Sequence, residues 1–106
     1  MIRVLLVCGS GASSGFMAAN LRKAAKKEGI EVKVTARGES EIENYIDDID
    51  ALMVGPHLEY ILDDIEGYIG DEDVTVVLMK PEYYSTLDGD KALEHLLEVM
   101  NAENAK

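Results

Sequence analysis

The sequence predicts an α/β fold: one open, four-stranded parallel sheet in the order 2-1-3-4, with helices on both faces. Three observations carry this. Apolar runs closed by glycine or proline alternate four times with stretches of helical periodicity, and such alternation builds a parallel sheet through right-handed crossovers. Two of the runs, residues 2–7 and 51–54, are nearly continuous in apolar residues, as strands buried on both faces are. A third, residues 31–36, alternates strictly between polar and apolar and suits an edge of the sheet. The buried pair therefore goes to the centre. With 106 residues and no internal repeat, linker or low-complexity stretch, the chain is expected to form one domain over 1–106.

Each element has its own signal. The first strand, Ile2 to Val7, stops at Cys8-Gly9-Ser10-Gly11. Ser13 or Ser14 then offers an N-cap to a helix whose inward stripe is Met17, Leu21, Ala24 and Ala25, and Gly29 closes it. Glu31 to Ala36 forms the second strand. Ser40 and Glu43 have capping-box spacing before a stripe of Ile42, Tyr45, Ile46 and Ile49. Ala51 to Val54 is the third strand, ended by Gly55-Pro56. Leu58, Ile61, Leu62, Ile65 and Ile69 mark the next helix, with Gly70 as its stop. Val74 to Met79 is the fourth strand, ended by Pro81. Asp88 caps a last helix with Leu93, Leu96, Leu97 and Met100 inward, and residues 101–106 read as a frayed tail.

Charge excludes several functions. Ten Lys and Arg against 21 Asp and Glu give a net charge of −11, unlike a nucleic-acid binder, which needs a basic face to displace counterions. An anionic membrane surface is excluded on the same ground. Residues 1–7 are too short for a signal-peptide apolar region, and no window approaches the roughly 20 apolar residues of a membrane span. A cytoplasmic protein without direct membrane insertion is expected. One cysteine makes neither an internal disulfide nor a cysteine-rich zinc cage.

Where that cysteine sits matters more. Open α/β sheets bind ligands beyond the carboxyl ends of the strands, where strand order reverses. Here that point lies between strands one and three, at Cys8-Gly9-Ser10-Gly11-Ala12-Ser13-Ser14-Gly15 and at Gly55-Pro56-His57. The glycines allow a tight backbone with N–H groups turned inward, and the helix that follows adds its positive end. Both favour thiolate at Cys8, making it a candidate nucleophile, while Ser10, Ser13 and Ser14 can donate to a phosphoryl group. The plain alternative is that Cys8 is a small buried hydrophobe ending a strand.

Residue types narrow the phosphate chemistry. The loop lacks the lysine of a Walker loop, and the dinucleotide pattern fails at its third position, where Ser14 stands before Gly15. Gly55 ends the third strand where a response regulator needs aspartate. A low-molecular-weight tyrosine phosphatase places arginine at the position of Ser14, and without it the equatorial oxygens of the transition state lose their clamp. A cysteine that takes and holds a phosphoryl group, with little to activate water, behaves as a carrier.

These residues resemble the enzyme IIB component of the lactose/cellobiose family of the bacterial sugar phosphotransferase system. The likeness rests on the cysteine loop, on Gly55-Pro56-His57-Leu58-Glu59-Tyr60-Ile61-Leu62 and on Tyr84-Ser85-Thr86-Leu87-Asp88-Gly89. It implies a three-layer sandwich of the flavodoxin-like or tyrosine-phosphatase-like kind. It also implies that Cys8 accepts a phosphoryl group from phosphohistidine on a IIA partner. Cys8 would pass it to a sugar held by the membrane component IIC, a β-linked disaccharide such as cellobiose, lactose or chitobiose. The chain departs from the family loop at Gly15, where a serine is common, and at His57, where glutamine is. His57 either hydrogen-bonds the phosphoryl group or simply begins its helix; Tyr84 either rims the site or packs.

No cofactor and no metal are expected. Asp47-Asp48, Asp63-Asp64 and Asp71-Glu72-Asp73 are adjacent pairs and runs that do not converge as ligands must. His95 is expected on ordinary surface, and Arg37 and Lys80 follow strands two and four towards the functional end. A monomer suffices for a carrier that meets both partners through one face. Two other functions remain open on the residues alone: a divergent cysteine phosphatase, and a non-catalytic regulatory or docking module.

Overall fold

The first strand of this sequence is one of the two interior strands of the sheet. β1 (Ile2–Val7) lies between β2 (Val32–Arg37) and β3 (Ala51–Val54), and β3 pairs in turn with β4 (Thr75–Leu78). All pairings are parallel, in the predicted order β2-β1-β3-β4. This computed structural model describes residues 1–7, 11–70 and 74–104, with backbone alone at 11–14, 39, 68 and 102–104. Residues 4–7 and 51–54 are at most 1% exposed, which accounts for their unbroken apolar sequence.

Successive residues on a strand point to opposite faces, so the sheet separates two apolar layers. On one face Val4, Leu6, Ala51, Met53 and Val77 pack against α1 (Gly11–Lys27) and α5 (Gly89–Asn104), through Met17, Leu21, Leu93 and Leu96. On the other, Leu5, Val7, Leu52 and Val54 meet Ile42, Ile46, Ile49, Leu58, Ile61 and Ile65. These belong to a shorter, broken layer. α2 (Ile42–Tyr45) lies between 3-10 turns at Glu39–Glu41 and Ile46–Asp48, and α3 (Leu62–Ile69) continues a 3-10 segment at Pro56–Ile61.

Several boundaries differ from the sequence expectation, each for a local reason. α1 starts at Gly11, so Ser13 and Ser14 lie inside its first turn and do not cap it. The first N–H groups of a helix lack intrahelical partners anyway, so serine costs little there. The capping box of Ser40 and Glu43 does not form: the cap position is Glu41, without a side-chain hydrogen bond. Three isoleucines anchored in the core hold this short segment instead, as tertiary packing does for helices too short to persist alone. Pro81 does more than end a strand. It opens a further one-turn helix, α4 (Pro81–Tyr84), where its fixed φ suits the first position. Asp88 does cap α5, accepting from the Lys91 N–H at 3.2 Å, and the helix persists to Asn104 where a frayed tail was expected.

Two close approaches lock the layers. A Cβ on Gly89 would lie 2.2 Å from the Asn20 carbonyl oxygen, so only glycine lets α5 start against α1. Beside it the Asn20 side chain donates to the Leu87 carbonyl at 2.8 Å, holding Leu87 at φ 53°, in the left-handed region. At the amino end of the sheet, Asp50 accepts from the Arg3 backbone N–H at 2.8 Å and from its guanidinium at 3.3 Å. Asp50 N–H returns a bond to the Arg3 carbonyl at 2.7 Å, and Thr75 N–H donates to the Asp50 carbonyl at 3.0 Å. The hydrogen bond from Arg3 holds the Asp50 carboxyl below its ordinary range, against the opposing effect of burial.

Candidate functional site

β1, β3 and β4 finish side by side, and their ladder runs one residue past the strands. Gly55 N–H donates to the Val7 carbonyl at 2.9 Å, and Met79 N–H to the Val54 carbonyl at 2.8 Å. Pro56 then turns the chain, and His57 folds back over Gly55. A Cβ on Gly55 would stand 2.8 Å from His57 Cε1 and 3.5 Å from the Val7 oxygen. The bare glycine therefore leaves the space beside which the imidazole lies, next to the end of β1. From the other side the Tyr84 ring approaches the His57 ring at 5.8 Å between centroids, tilted by 48°. Tyr84 is half-buried, with its hydroxyl inside. The structure thus brings together the two outer candidates, His57 and Tyr84.

Cys8, Gly9 and Ser10 lie outside the described residues. What surrounds them is fixed at both ends, by Val7 closing β1 and Gly11 opening α1. Gly11, Ala12, Ser13, Ser14 and Gly15, expected as loop, form the first turn of α1. The turn offers the amide donors and positive end that a helix start provides to an anion. Gly15 is exposed, and a Cβ there would meet nothing within 4 Å, so packing does not forbid a side chain at that position.

Other expectations need correction or sharpening. His95 is not ordinary surface. Its Nδ1 lies 2.7 Å from the Tyr83 hydroxyl, the two rings meeting edge-on at 5.8 Å and 72°. Burial pushes the Tyr83 hydroxyl up to about 12, so the phenol stays protonated; burial, with Lys80 nearby, pushes His95 down, favouring the neutral imidazole. Arg37 is the last residue of β2, and its guanidinium donates to the Tyr45 hydroxyl at 2.9 Å and to the Ala36 carbonyl at 2.7 Å. Lys80 is exposed after β4, near enough to His95 to act on its charge. Asp47, Asp48, Asp63 and Asp64 are exposed; Asp71-Glu72-Asp73 lies outside the described residues. Among the described residues no group of three His, Cys, Asp or Glu converges on a metal position. No helix among them is long and apolar enough to cross a membrane.

Sequence reading missed the Tyr83–His95 pair and the Asn20–Leu87 bond. Both join residues on different elements, and neither partner breaks the periodicity of its own helix. The one available hint was the doubled tyrosine, since adjacent helical positions cannot both face the same neighbour.

A four-stranded parallel sheet in this order, with helices on both faces, defines an open α/β protein of the doubly wound class. Residues 3–95 match the family described as "PTS system, Lactose/Cellobiose specific IIB subunit", and the chain belongs to that family. The PTS system oligo-beta-mannoside-specific EIIB component of Bacillus subtilis is 25% identical over 100 residues, covering 94% of this chain and 97% of that protein. Two solved structures share the fold. The lactose-specific IIB component domain from Streptococcus pneumoniae superposes with a TM-score of 0.81 at 17% identity, over 92% of this chain and 95% of the other. The cellobiose-specific phosphotransferase IIB component protein from Borrelia burgdorferi gives 0.75 at 23% identity, over 95% and 93%.

Proposed function

We propose that Cys8 carries the phosphoryl group of a sugar phosphotransferase system, taking it from phosphohistidine on a IIA partner and giving it to a sugar held by a membrane IIC partner. The observation that carries this reading is the end of β1. Val7 pairs with Val54 where strand order reverses, and Gly55 N–H bonds to its carbonyl; the one cysteine of the chain is the next residue in sequence, shortly before α1.

The chemistry is a pair of in-line displacements. The Cys8 thiolate attacks phosphorus as the bond to the donor imidazole nitrogen breaks; the sugar hydroxyl oxygen later attacks as the phosphorus–sulfur bond breaks, and its proton leaves to solvent. Positioning and charge stabilisation are what such transfers require of the protein. The amides of Gly9 to Ser14 and the positive end of α1 supply the cradle, with the hydroxyls of Ser10, Ser13 and Ser14 as further donors. The His57 imidazole, folded over Gly55, and Tyr84 against it form the outer wall.

Residues 1–106 act in this reading as one carrier domain, a monomer on the cytoplasmic side that offers the same end of the sheet to both partners in turn. The sugar is a β-linked disaccharide, held by the partner in the membrane. Incubation with phosphorylated IIA is expected to add one phosphoryl group at Cys8, stable to acid and released by iodine. An unlabelled Cys8 in the presence of a competent donor would overturn the reading.

A further inference from the structure

We propose that the hydrogen bond between Tyr83 and His95 is a positioning device for the phosphoryl site. It fixes the rotation of α4 and, through the Tyr84 ring, the place of the His57 imidazole beside the end of β1. The proposal rests on the reading of Cys8 given above.

α4 has only four residues, too few to keep a helical geometry without outside support. That support comes from α5. Tyr83 is 4% exposed and reaches His95 Nδ1 at 2.7 Å. His95 stands in the second turn of the 16-residue α5, whose Leu93 and Leu96 are buried against the sheet. The acceptor is thus mounted on a rigid element, as a precise site requires. Three further bonds return to the same short helix: Thr86 Oγ1 and Asp88 N–H both donate to the Tyr83 carbonyl, at 3.2 and 2.9 Å, and Leu87 N–H donates to the Tyr84 carbonyl at 3.1 Å.

Neighbouring residues on a helix diverge by about 100°. With Tyr83 locked towards α5, Tyr84 must project elsewhere, and it projects to His57. His57 in turn lies over the bare Gly55, whose N–H donates to the Val7 carbonyl at 2.9 Å. A continuous set of contacts therefore runs from α5 through Tyr84, His57 and Gly55 to Val7, the last residue of β1. The Tyr83 phenol, raised to about 12, keeps its proton throughout the neutral range.

The test reads His57 directly. In the unphosphorylated protein, the His57 ring signals in proton–carbon correlation spectra report the ring current of Tyr84. His95→Leu and Tyr83→Phe are both expected to shift those signals and to slow phosphoryl uptake from phosphorylated IIA by about 10-fold. His95→Gln, whose side-chain carbonyl can accept from Tyr83, is expected to restore both. Tyr83→Phe keeps the ring and its packing, so it serves should His95→Leu not fold. The proposal is overturned by His57 signals unmoved in folded Tyr83→Phe, or by His95→Gln shifting them as far as His95→Leu. A wild-type protein that takes up no phosphoryl group overturns the Cys8 reading instead, and the His57 signals alone then decide the coupling of Tyr83 to His57.

Discussion

The two ends of the sheet are built on opposite plans. At the amino end, charge is answered within the fold: the Arg3 guanidinium and backbone N–H both reach Asp50, whose own backbone groups bond to β1 and β4. At the carboxyl end, backbone bonds carry the sheet one residue further, and the side chains beyond them are spent on geometry rather than on mutual neutralisation. His57 lies over a glycine, Tyr84 against His57, and the amides of the α1 start answer no carboxylate within its own first turn. One end is tied by charge within the fold; the other, on the reading proposed for Cys8, offers its donors to a phosphoryl group. Substitutions at the first should therefore cost stability and spare activity, and those at the second the reverse.

The largest expected separation comes from Cys8→Ser. Transfer from phosphorylated IIA should vanish, because the serine hydroxyl is not ionised at neutral pH, while far-ultraviolet circular dichroism stays that of the wild type. Retained labelling of the variant would show that another residue carries the group.

Asp50→Ala is the counterpart. It removes the acceptor of the Arg3 N–H and guanidinium, and should lower the melting temperature by roughly 4–8 °C, the shift that about 1 kcal/mol produces in a domain of this size. Phosphoryl uptake should stay within about twofold of wild type, since uptake depends on the far end of β1. A loss of transfer as large as the loss of stability would erase the division between the ends.

Gly55→Ala probes the boundary from the other side. Its backbone, at φ −60° and ψ 144°, suits alanine, and the new methyl meets first the movable His57 ring. Melting should change by no more than a few degrees, whereas uptake should slow by about fivefold as the ring is displaced. Measuring both on one preparation decides whether His57 matters where it lies.

The smallest effects are in pH. Asp50 has a folded value below its ordinary 3.8, so the stability it adds is complete above that value and is lost as pH falls through the folded one. Acid denaturation of Asp50→Asn should lack this component. His95 is held below its ordinary 6.5, so the folded state prefers the neutral ring and gives up stability as pH falls below about 6.5. His95→Gln should flatten the stability profile there, and an unchanged profile would remove His95 from the account.

Much of this was legible because burial writes itself into composition. Val4 to Val7 and Ala51 to Val54 are apolar without interruption because both faces are covered, and that alone ordered the sheet. That the Gly55-Pro56-His57 turn starts beside the end of β1 followed from strand order. Less visible was where helices begin. Ser13 and Ser14 have the chemistry of caps, yet α1 starts at Gly11, since nothing in a local pattern says how early a following helix can nucleate against a finished strand. The broken layer around α2 was also hidden, because three isoleucines at helical spacing serve 3-10 turns as well as one helix. His95 escaped notice for a different reason. Its partner is on another element, and a hydrogen bond between two otherwise ordinary positions leaves no mark on either sequence neighbourhood.

The central place of β1 has a consequence for synthesis. β1 is made before both of its neighbours: Val4 pairs with Val34 on one side and with Ala51 on the other. Until β3 is out, Leu5 and Val7 have only one of their two flanking strands, and Leu58, Ile61 and Ile65 of the layer that covers them are still to come. A nascent chain thus holds an interior strand before it owns half of what buries it. Fragments ending before β3 should therefore expose β1 and bind a hydrophobic dye such as ANS that the whole domain does not.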